Sequence, residues 1–480
     1  MSKKNNELTY NLIYNICYQI LSLIVPLITA PYISRTLGKA GVGEYSYTYS
    51  IAHYFVLFIM LGVLNYGNRE IARVKDDKKL LDNKFSGIYS VQLILGIAIL
   101  FVYLFYVICI EVDYKAVALA QILYIISGIL DISWFYFGIE KFKVTAGVSA
   151  INKIVTTILI FLFVKNENDV FIYTLILAGG VLLNNICYWL LLKKYISKIK
   201  ITIDGFKSHL RPLIILFIPV IAISIYKYMD KIMLGVMVNT SEVGIYESAE
   251  KFVNLPLCLI TAIGTVMLPR ISKLKEQTVE GMVKRYNAIS MSLIMFLSFG
   301  IVSGLASITT IFIPWFYGKE FANSSNVLII LLPSILFVSW ANVIRTQCLL
   351  PNKRDKDYCI SVIGGALVNF TINFILIPYL GAIGAAIGTT LAEFIVCIIQ
   401  TIETRKEMDF KKYALNCIPY LISATIMYLI ITKISFETDL ITILSRIVAG
   451  ICVYSILSLK HIIKSIKSEQ VLFNEGLYER

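Results

Sequence analysis

The chain is poor in charge. Only 16% of its 480 residues are Asp, Glu, Lys or Arg, where a soluble domain carries about 25%. Histidine is scarcer: His53, His209 and His461 stand far apart and offer no histidine-based metal site. The nine cysteines (17, 109, 187, 258, 348, 359, 397, 417 and 452) form no CxxC pair. They read as small buried hydrophobes without a disulfide or metal role. No G-x-x-x-x-G-K-[ST] occurs, which excludes ATP hydrolysis at a Walker A site. A nucleophile elbow and a G-x-G-x-x-G preceded by a strand are also missing. The chain is therefore expected not to be an enzyme and to need no cofactor. No cleavable signal is expected either, because the short polar start MSKKNNELTYN leads directly into a full-length apolar span.

Apolar sequence is abundant. Hydrophobic residues make up 58% of the chain, with a mean hydropathy of +0.75. Breaking the sequence at its polar interruptions gives about fourteen candidate helices, from 12–34 to 440–459, each near the ~20 residues a spanning helix needs. The fold class expected is an all-α integral membrane protein. A net charge of +13 is compatible with nucleic acid, but its placement at span ends argues for membrane topology and lipid partners instead. With alternating spans and an inner N-terminus, 32 of the 44 Lys and Arg fall on the inner side, 6 outside and 6 within spans. That bias predicts an even span count and both termini cytoplasmic. The outer loops are too short for an extracytoplasmic catalytic domain.

A faint repeat divides the chain. The first span holds Pro26, then Leu37-Gly38, then Val42-Gly43-Glu44-Tyr45-Ser46. The seventh holds Pro219, then Leu234-Gly235, then Val243-Gly244-Ile245-Tyr246-Glu247-Ser248. Both copies run outward, so they predict two parallel, pseudo-symmetric six-helix lobes, 1–211 and 212–403. The segment 404–480 adds two C-terminal helices.

Charges inside the spans need an explanation, because each costs roughly 2.5–3.5 kcal/mol near mid-membrane and so usually faces a wet or polar interior. Leu213–Val238 carries Lys227, Asp230 and Lys231 on one helix side, one acid against two cations. Lys153 lies about 14 Å from the inner end of its span, Lys227 about 15–20 Å and Lys251 about 12 Å from the outer ends of theirs. Snorkelling to the headgroups is the expectation for Lys231, Arg345 and Arg446, which are nearer span ends. Arg35 sits at the outer mouth of the first span. Among the acids, Asp131, Asp230, Glu247, Glu250 and Glu393 are embedded. Glu247 and Lys251 form an i,i+4 pair that can satisfy itself. Glu393 either titrates, binds a coupling ion or pairs with a lysine of another helix. His53 reads as a packed neutral histidine, with a proton relay as the alternative. A membrane face left net positive implies an anionic ligand.

Several segments carry a resemblance: PLITAPYISRTLGKAGVGEYSY (26–47), LGVLNYGNREIAR (61–73), WFYFGIEKF (134–142), YKYMDKIMLG (226–235), VGIYESAEKFVNLP (243–256), VMLPRISKL (266–274) and IPYLGAIGAAIGTTLAE (377–393). On these the chain resembles the Wzx-type polysaccharide repeat-unit flippases, within the superfamily that includes MATE exporters and lipid II flippases. The resemblance implies alternating access around a central cavity in a bacterial plasma membrane. It also implies a substrate, an undecaprenyl-pyrophosphate-linked oligosaccharide of capsule, O-antigen or exopolysaccharide synthesis. A polysaccharide polymerase and a chain-length regulator are the protein partners that fit this reading. On it, Arg35, Lys153, Lys227, Lys231, Lys251 and Arg345 form a cationic cavity for the pyrophosphate. His53, Asp131, Asp230, Glu250 and Glu393 serve charge pairing or coupling to a proton or sodium gradient. The rivals are a MATE drug exporter, whose cationic substrates suit carboxylates better than lysines, and a membrane polymerase or glycosyltransferase, for which the acidic nucleotide-sugar motifs are missing.

Overall fold

A computed structural model describes residues 2–277 and 280–478. The described residues are almost entirely helical. Cα packing divides them into two compact units, residues 1–235 with 239–244, and residues 236–238 with 245–480.

The first unit holds α1 (Ser2–Met60), α2 (Val63–Val74), α3 (Lys78–Cys109), α4 (Lys115–Ala120), α5 (Ile122–Ile129), α6 (Ser133–Gly138), α7 (Phe142–Phe163), α8 (Val170–Leu192) and most of α9 (Ile203–Met237). α1 is two spans joined at Gly38, whose φ of 65° is left-handed and breaks the helical run. The repeat glycines mark a close backbone approach. A Cβ on Gly43 would fall 1.7 Å from the Thr240 carbonyl oxygen, and one on Gly244 would fall 2.0 Å from that of Lys39. Within this unit the Val-Gly steps of the two copies thus meet through backbone that admits no side chain.

The stretch Lys115–Gly138, apolar and long enough for one crossing, is three helical pieces, α4 to α6. The break at Leu130–Ile132 is polar. The Asp131 carboxylate accepts from the Ser133 backbone N–H at 2.9 Å, and the Gln92 side chain donates to the carbonyls of Gly128 and Asp131, both at 2.8 Å. α9 joins this unit by packing, whereas the repeat places its span in the second lobe. Leu213 and Phe217 enter the apolar cluster around Phe85 and Trp134. The Tyr54 hydroxyl donates to the Ser224 carbonyl at 3.0 Å, and Tyr66 bonds His209 at 2.7 Å.

The second unit holds most of α10 (Thr240–Glu276), then α11 (Glu280–Tyr317), α12 (Ser324–Ile344), α13 (Asp355–Leu380), α14 (Ala382–Glu403), α15 (Phe410–Ile431) and α16 (Asp439–Tyr478). α15 and α16 pack on α11, where the Tyr454 hydroxyl donates to the Phe296 carbonyl at 2.6 Å. Arg446 does not reach toward the headgroups as expected. It is buried and donates to the carbonyls of Ile434, Thr432 and Ser307 at 2.9, 2.9 and 2.5 Å, closing the turn before α16.

Twelve helical stretches of the described residues are long and apolar enough to cross a membrane. The first, Ile24–Val74, contains both spans flanking Gly38, and α9 covers the seventh expected crossing. The described helices therefore accommodate the fourteen crossings. Eight cysteines are free; the Cys17 side chain lies outside the described residues. Burial is not general among them. Cys348 is buried, but Cys109, Cys258 and Cys452 are exposed on helices whose outer faces suit lipid.

Candidate functional site

The first unit concentrates rings and cations at one place. Tyr45, Tyr49 and His53 recur every four residues on the second half of α1, so they share one helix side. Tyr124 of α5 comes up to this stripe, its ring centroid 5.0 Å from that of Tyr49, and its hydroxyl lies 3.0 Å from His53 Nδ1. Tyr228 of α9 packs against the imidazole, with centroids 4.1 Å apart. The Lys231 ammonium stands 5.6 Å from the Tyr228 centroid, a cation–π distance. Tyr45 continues the ring cluster to Tyr173 of α8 at 4.9 Å.

α9 brings its charges to this cluster in unequal states. Asp230 and Lys231 are 1% and 8% exposed, whereas Lys227, one turn earlier, is exposed. Lys231 therefore does not snorkel outward as its distance from the span end suggested; helix rotation and the Tyr228 ring keep it inside. His53 is a packed, hydrogen-bonded histidine in this arrangement. Lys153 is half-buried on α7, and Arg35 is exposed on α1.

The second unit treats its embedded charges differently. Lys251 pairs with Glu247 at 3.3 Å, as their spacing allows. Glu250 and Glu393 are half-buried. The Arg345 guanidinium donates to Asn342 Oδ1 at 2.8 Å and lies 5.8 Å from the Tyr358 centroid. Arg345 opens a π-helical turn, Arg345–Leu349. Such turns interrupt the regular hydrogen-bond ladder and recur at functional sites.

Asp131 has a structural partner, the Ser133 N–H, and stands at the α5–α6 break. The structure thus groups His53 and Lys231 around Tyr228 in one unit, with Asp230 buried on the same helix, and places Lys251, Glu250, Arg345 and Glu393 in the other. Reasoning from charge missed the tyrosines. The four-residue spacing of Tyr45, Tyr49 and His53 was the available signal; Tyr124 and Tyr228 join only through tertiary packing. Among the described residues no group of three or more His, Cys, Asp or Glu could hold a metal ion.

Residues 8–275 match the family model described as polysaccharide biosynthesis protein. The chain is 24% identical over 401 residues to a protein of Escherichia coli (strain K12) named for O-antigen transport, covering 82% of this chain and 96% of that one. It is 23% identical over 394 residues to the capsular polysaccharide biosynthesis protein CapF of Staphylococcus aureus, covering 79% and 94%. Its fold is similar to that of the lipid II flippase MurJ in an inward closed conformation, with a TM-score of 0.77 at 20% identity over 94% of this chain and 98% of that one. An inward-facing multidrug MATE transporter shares the fold at a TM-score of 0.59 and 13% identity, covering 80% and 97%. With more than half its length matched by the family model, the chain belongs to the polysaccharide biosynthesis protein family.

Proposed function

We propose that this chain is a flippase that carries an undecaprenyl-pyrophosphate-linked oligosaccharide from the inner to the outer leaflet of a bacterial plasma membrane by alternating access. Both termini lie on the cytoplasmic side in this reading. The family and the flippase-like fold support the coarser part, transport of a lipid-linked polysaccharide precursor. The observation that carries the finer part is the meeting of aromatic faces with a buried lysine at His53, Tyr124, Tyr228 and Lys231. Sugar rings present C–H faces that pack on aromatic π-surfaces, and their hydroxyls suit the tyrosine hydroxyls. A pyrophosphate carries negative charge and strong acceptors. Ammonium groups replace the hydration it loses on entering an apolar slab. Lys227 and Lys231 supply that charge beside the rings. Transport is coupled to a proton or sodium gradient through Asp230 and Glu393, and the delivered units pass to a polymerase and a chain-length regulator.

Export of the saccharide, followed as surface glycan against lipid-linked saccharide retained on the inner leaflet, tests this reading. A Lys227→Gln/Lys231→Gln double variant should fall by about tenfold or more, the loss of one or two charge-assisted contacts to phosphate. Tyr228→Ala should reduce export as well, because it removes both a sugar platform and the ring beside Lys231. Full export by the double variant at normal abundance rejects the cationic site. For coupling, Glu393→Gln should alter the gradient dependence; an unchanged dependence removes Glu393 from that role.

A further inference from the structure

The segment YGNREIAR is not used by the site above. It forms most of α2, a short amphipathic helix entered through Gly62, whose φ is 74°. Val63, Tyr66 and Ile71 are buried on its apolar side, and Gly67 lies so close to Trp134 that a Cβ would meet the indole at 2.5 Å. The outward side carries Arg69 and Arg73. Between these sides Glu70 is about nine-tenths buried.

Three cations converge on the one Glu70 carboxylate. Arg73 donates to Oε1 at 2.9 Å, Arg69 Nε lies 3.8 Å from the same oxygen, and Lys84 of α3 reaches Oε2 at 3.3 Å. The cluster keeps two positive charges in excess. Cations serving only as topology anchors repel one another and spread into solvent. Here a buried acid draws three together from two helices, while Arg69 and Arg73 stay 53% and 64% exposed. Each guanidinium has five N–H donors, and Glu70 takes few of them. Planar donors beside an ammonium, open on one side and net positive, match the oxygens of a phosphoryl group.

We propose that Arg69, Arg73 and Lys84, held in register by Glu70, form a second phosphate site that receives the phosphoryl headgroup of a membrane lipid. Its location follows from the distribution of Lys and Arg, which puts α2 at the cytoplasmic face. The ligand's identity as the transport substrate rests on the function proposed above; the existence of the site does not. In that setting it is a docking point that a lipid-linked pyrophosphate occupies before it enters the ring cluster.

Binding to the full chain in phosphatidylcholine vesicles tests this without any transport readout. The probes are a polyprenyl pyrophosphate, the matching polyprenol and phosphatidylglycerol. The wild type should prefer the pyrophosphate to the polyprenol; in a Lys227→Gln/Lys231→Gln background, which removes the cations of the ring cluster, Arg69→Gln/Arg73→Gln should weaken the remaining pyrophosphate binding about tenfold or more. If phosphatidylglycerol binding is lost while the pyrophosphate is retained, the site stands but its occupant is a phospholipid. Unchanged binding of both overturns the site. Glu70→Gln discriminates further. It raises the net positive charge, so a diffuse electrostatic patch would bind phosphate more tightly. A constellation built on Glu70 should bind it several-fold more weakly, and tighter binding overturns the proposal. Should Glu70→Gln fold poorly, Lys84→Gln, on a different helix, still reads out the loss. Failure of the flippase reading appears separately, as wild-type export that does not depend on the chain.

Discussion

Two charge clusters, one in each unit, are built from similar groups in opposite proportion. In the first, the Glu70 carboxylate is shared by Arg69, Arg73 and Lys84. In the second, the Arg354 guanidinium is shared by Asp357 and Glu407, both at 2.5 Å, and by Glu403 at 3.6 Å. Glu407 also accepts from Asn352 at 2.5 Å and from the Cys348 thiol at 3.0 Å, and Asn352 accepts from Lys275 at 2.7 Å. Arg354 thus directs its donors into acids and into the Glu403 carbonyl. It ties the end of α10, the π-helical turn, the start of α13 and the loop after α14 into one piece. Proportion decides role. A single acid among three cations leaves donors facing outward for an anionic ligand. A guanidinium paired directly with three acids consumes its donors and acts as a brace.

Removing the central group should therefore have different consequences in the two clusters. Arg354→Ala should give the largest loss of stability, about 2–4 kcal/mol, because it leaves three acids crowded together with no shared cation. Partial exposure of the pairs keeps the figure below that of a fully buried network. Thermal unfolding in detergent, read beside phosphate binding in the first unit, is the check. A melting temperature unchanged from wild type would mean that the Arg354 cluster is ornamental. Lost phosphate binding at unchanged stability would reverse the assigned roles.

Gly67→Ala addresses the first cluster through packing alone. The added methyl lies 2.5 Å from Trp134, which is fully buried and fixed by bonds to Gln92 Oε1 and the Asp131 carbonyl at 3.2 and 3.1 Å. Neither partner gives way easily, so α2 must shift off α6 at a cost of about 1–3 kcal/mol. The shift separates Arg69 and Arg73 from Lys84 on α3. Phosphate binding should then weaken although no charge has changed. Equal affinity in the Gly67→Ala variant would show that the cations need no shared register.

What could be read without the structure follows the range of each interaction. Span count and helical class are local properties of apolar length, so they were legible. Lys231 was not: distance from a span end gives depth, while the side of α9 that is buried, which carries Asp230, Lys231 and Leu234, follows from tertiary packing. The stripe Tyr45–Tyr49–His53 was written in the spacing, but Tyr124 and Tyr228 arrive from other helices. The break at Asp131 was hidden because its cap is a polar group inside an apolar run, and because Gln92 completes it from α3. The YGNREIAR segment showed its charges openly. That they gather on Glu70 required Lys84 from the next helix.

The smallest expected effect concerns His209, which fastens the start of α9 to α2. Its ring bonds the Tyr66 hydroxyl at 2.7 Å, and Gly87 makes room for it, since a Cβ there would lie 2.8 Å from the imidazole. Burial lowers the His209 pKa below its usual 6.5; Lys84 lowers it further, and Glu70 opposes the shift. A histidine with a depressed folded-state pKa adds stability above its unfolded value and loses it as pH falls through the folded one. The first unit should therefore weaken gradually below about pH 6.5, where the unfolded chain gains a proton that the folded chain resists. His209→Gln should flatten this part of the pH–stability profile. Because Lys84 and Glu70 act on the ring with opposite sign, Lys84→Gln should bring the folded pKa back toward the unfolded value and shrink the acid-linked loss, and Glu70→Gln should depress it further and enlarge the loss. Profiles that coincide in all three variants would show that His209 is held by packing alone and senses none of the cluster's charge.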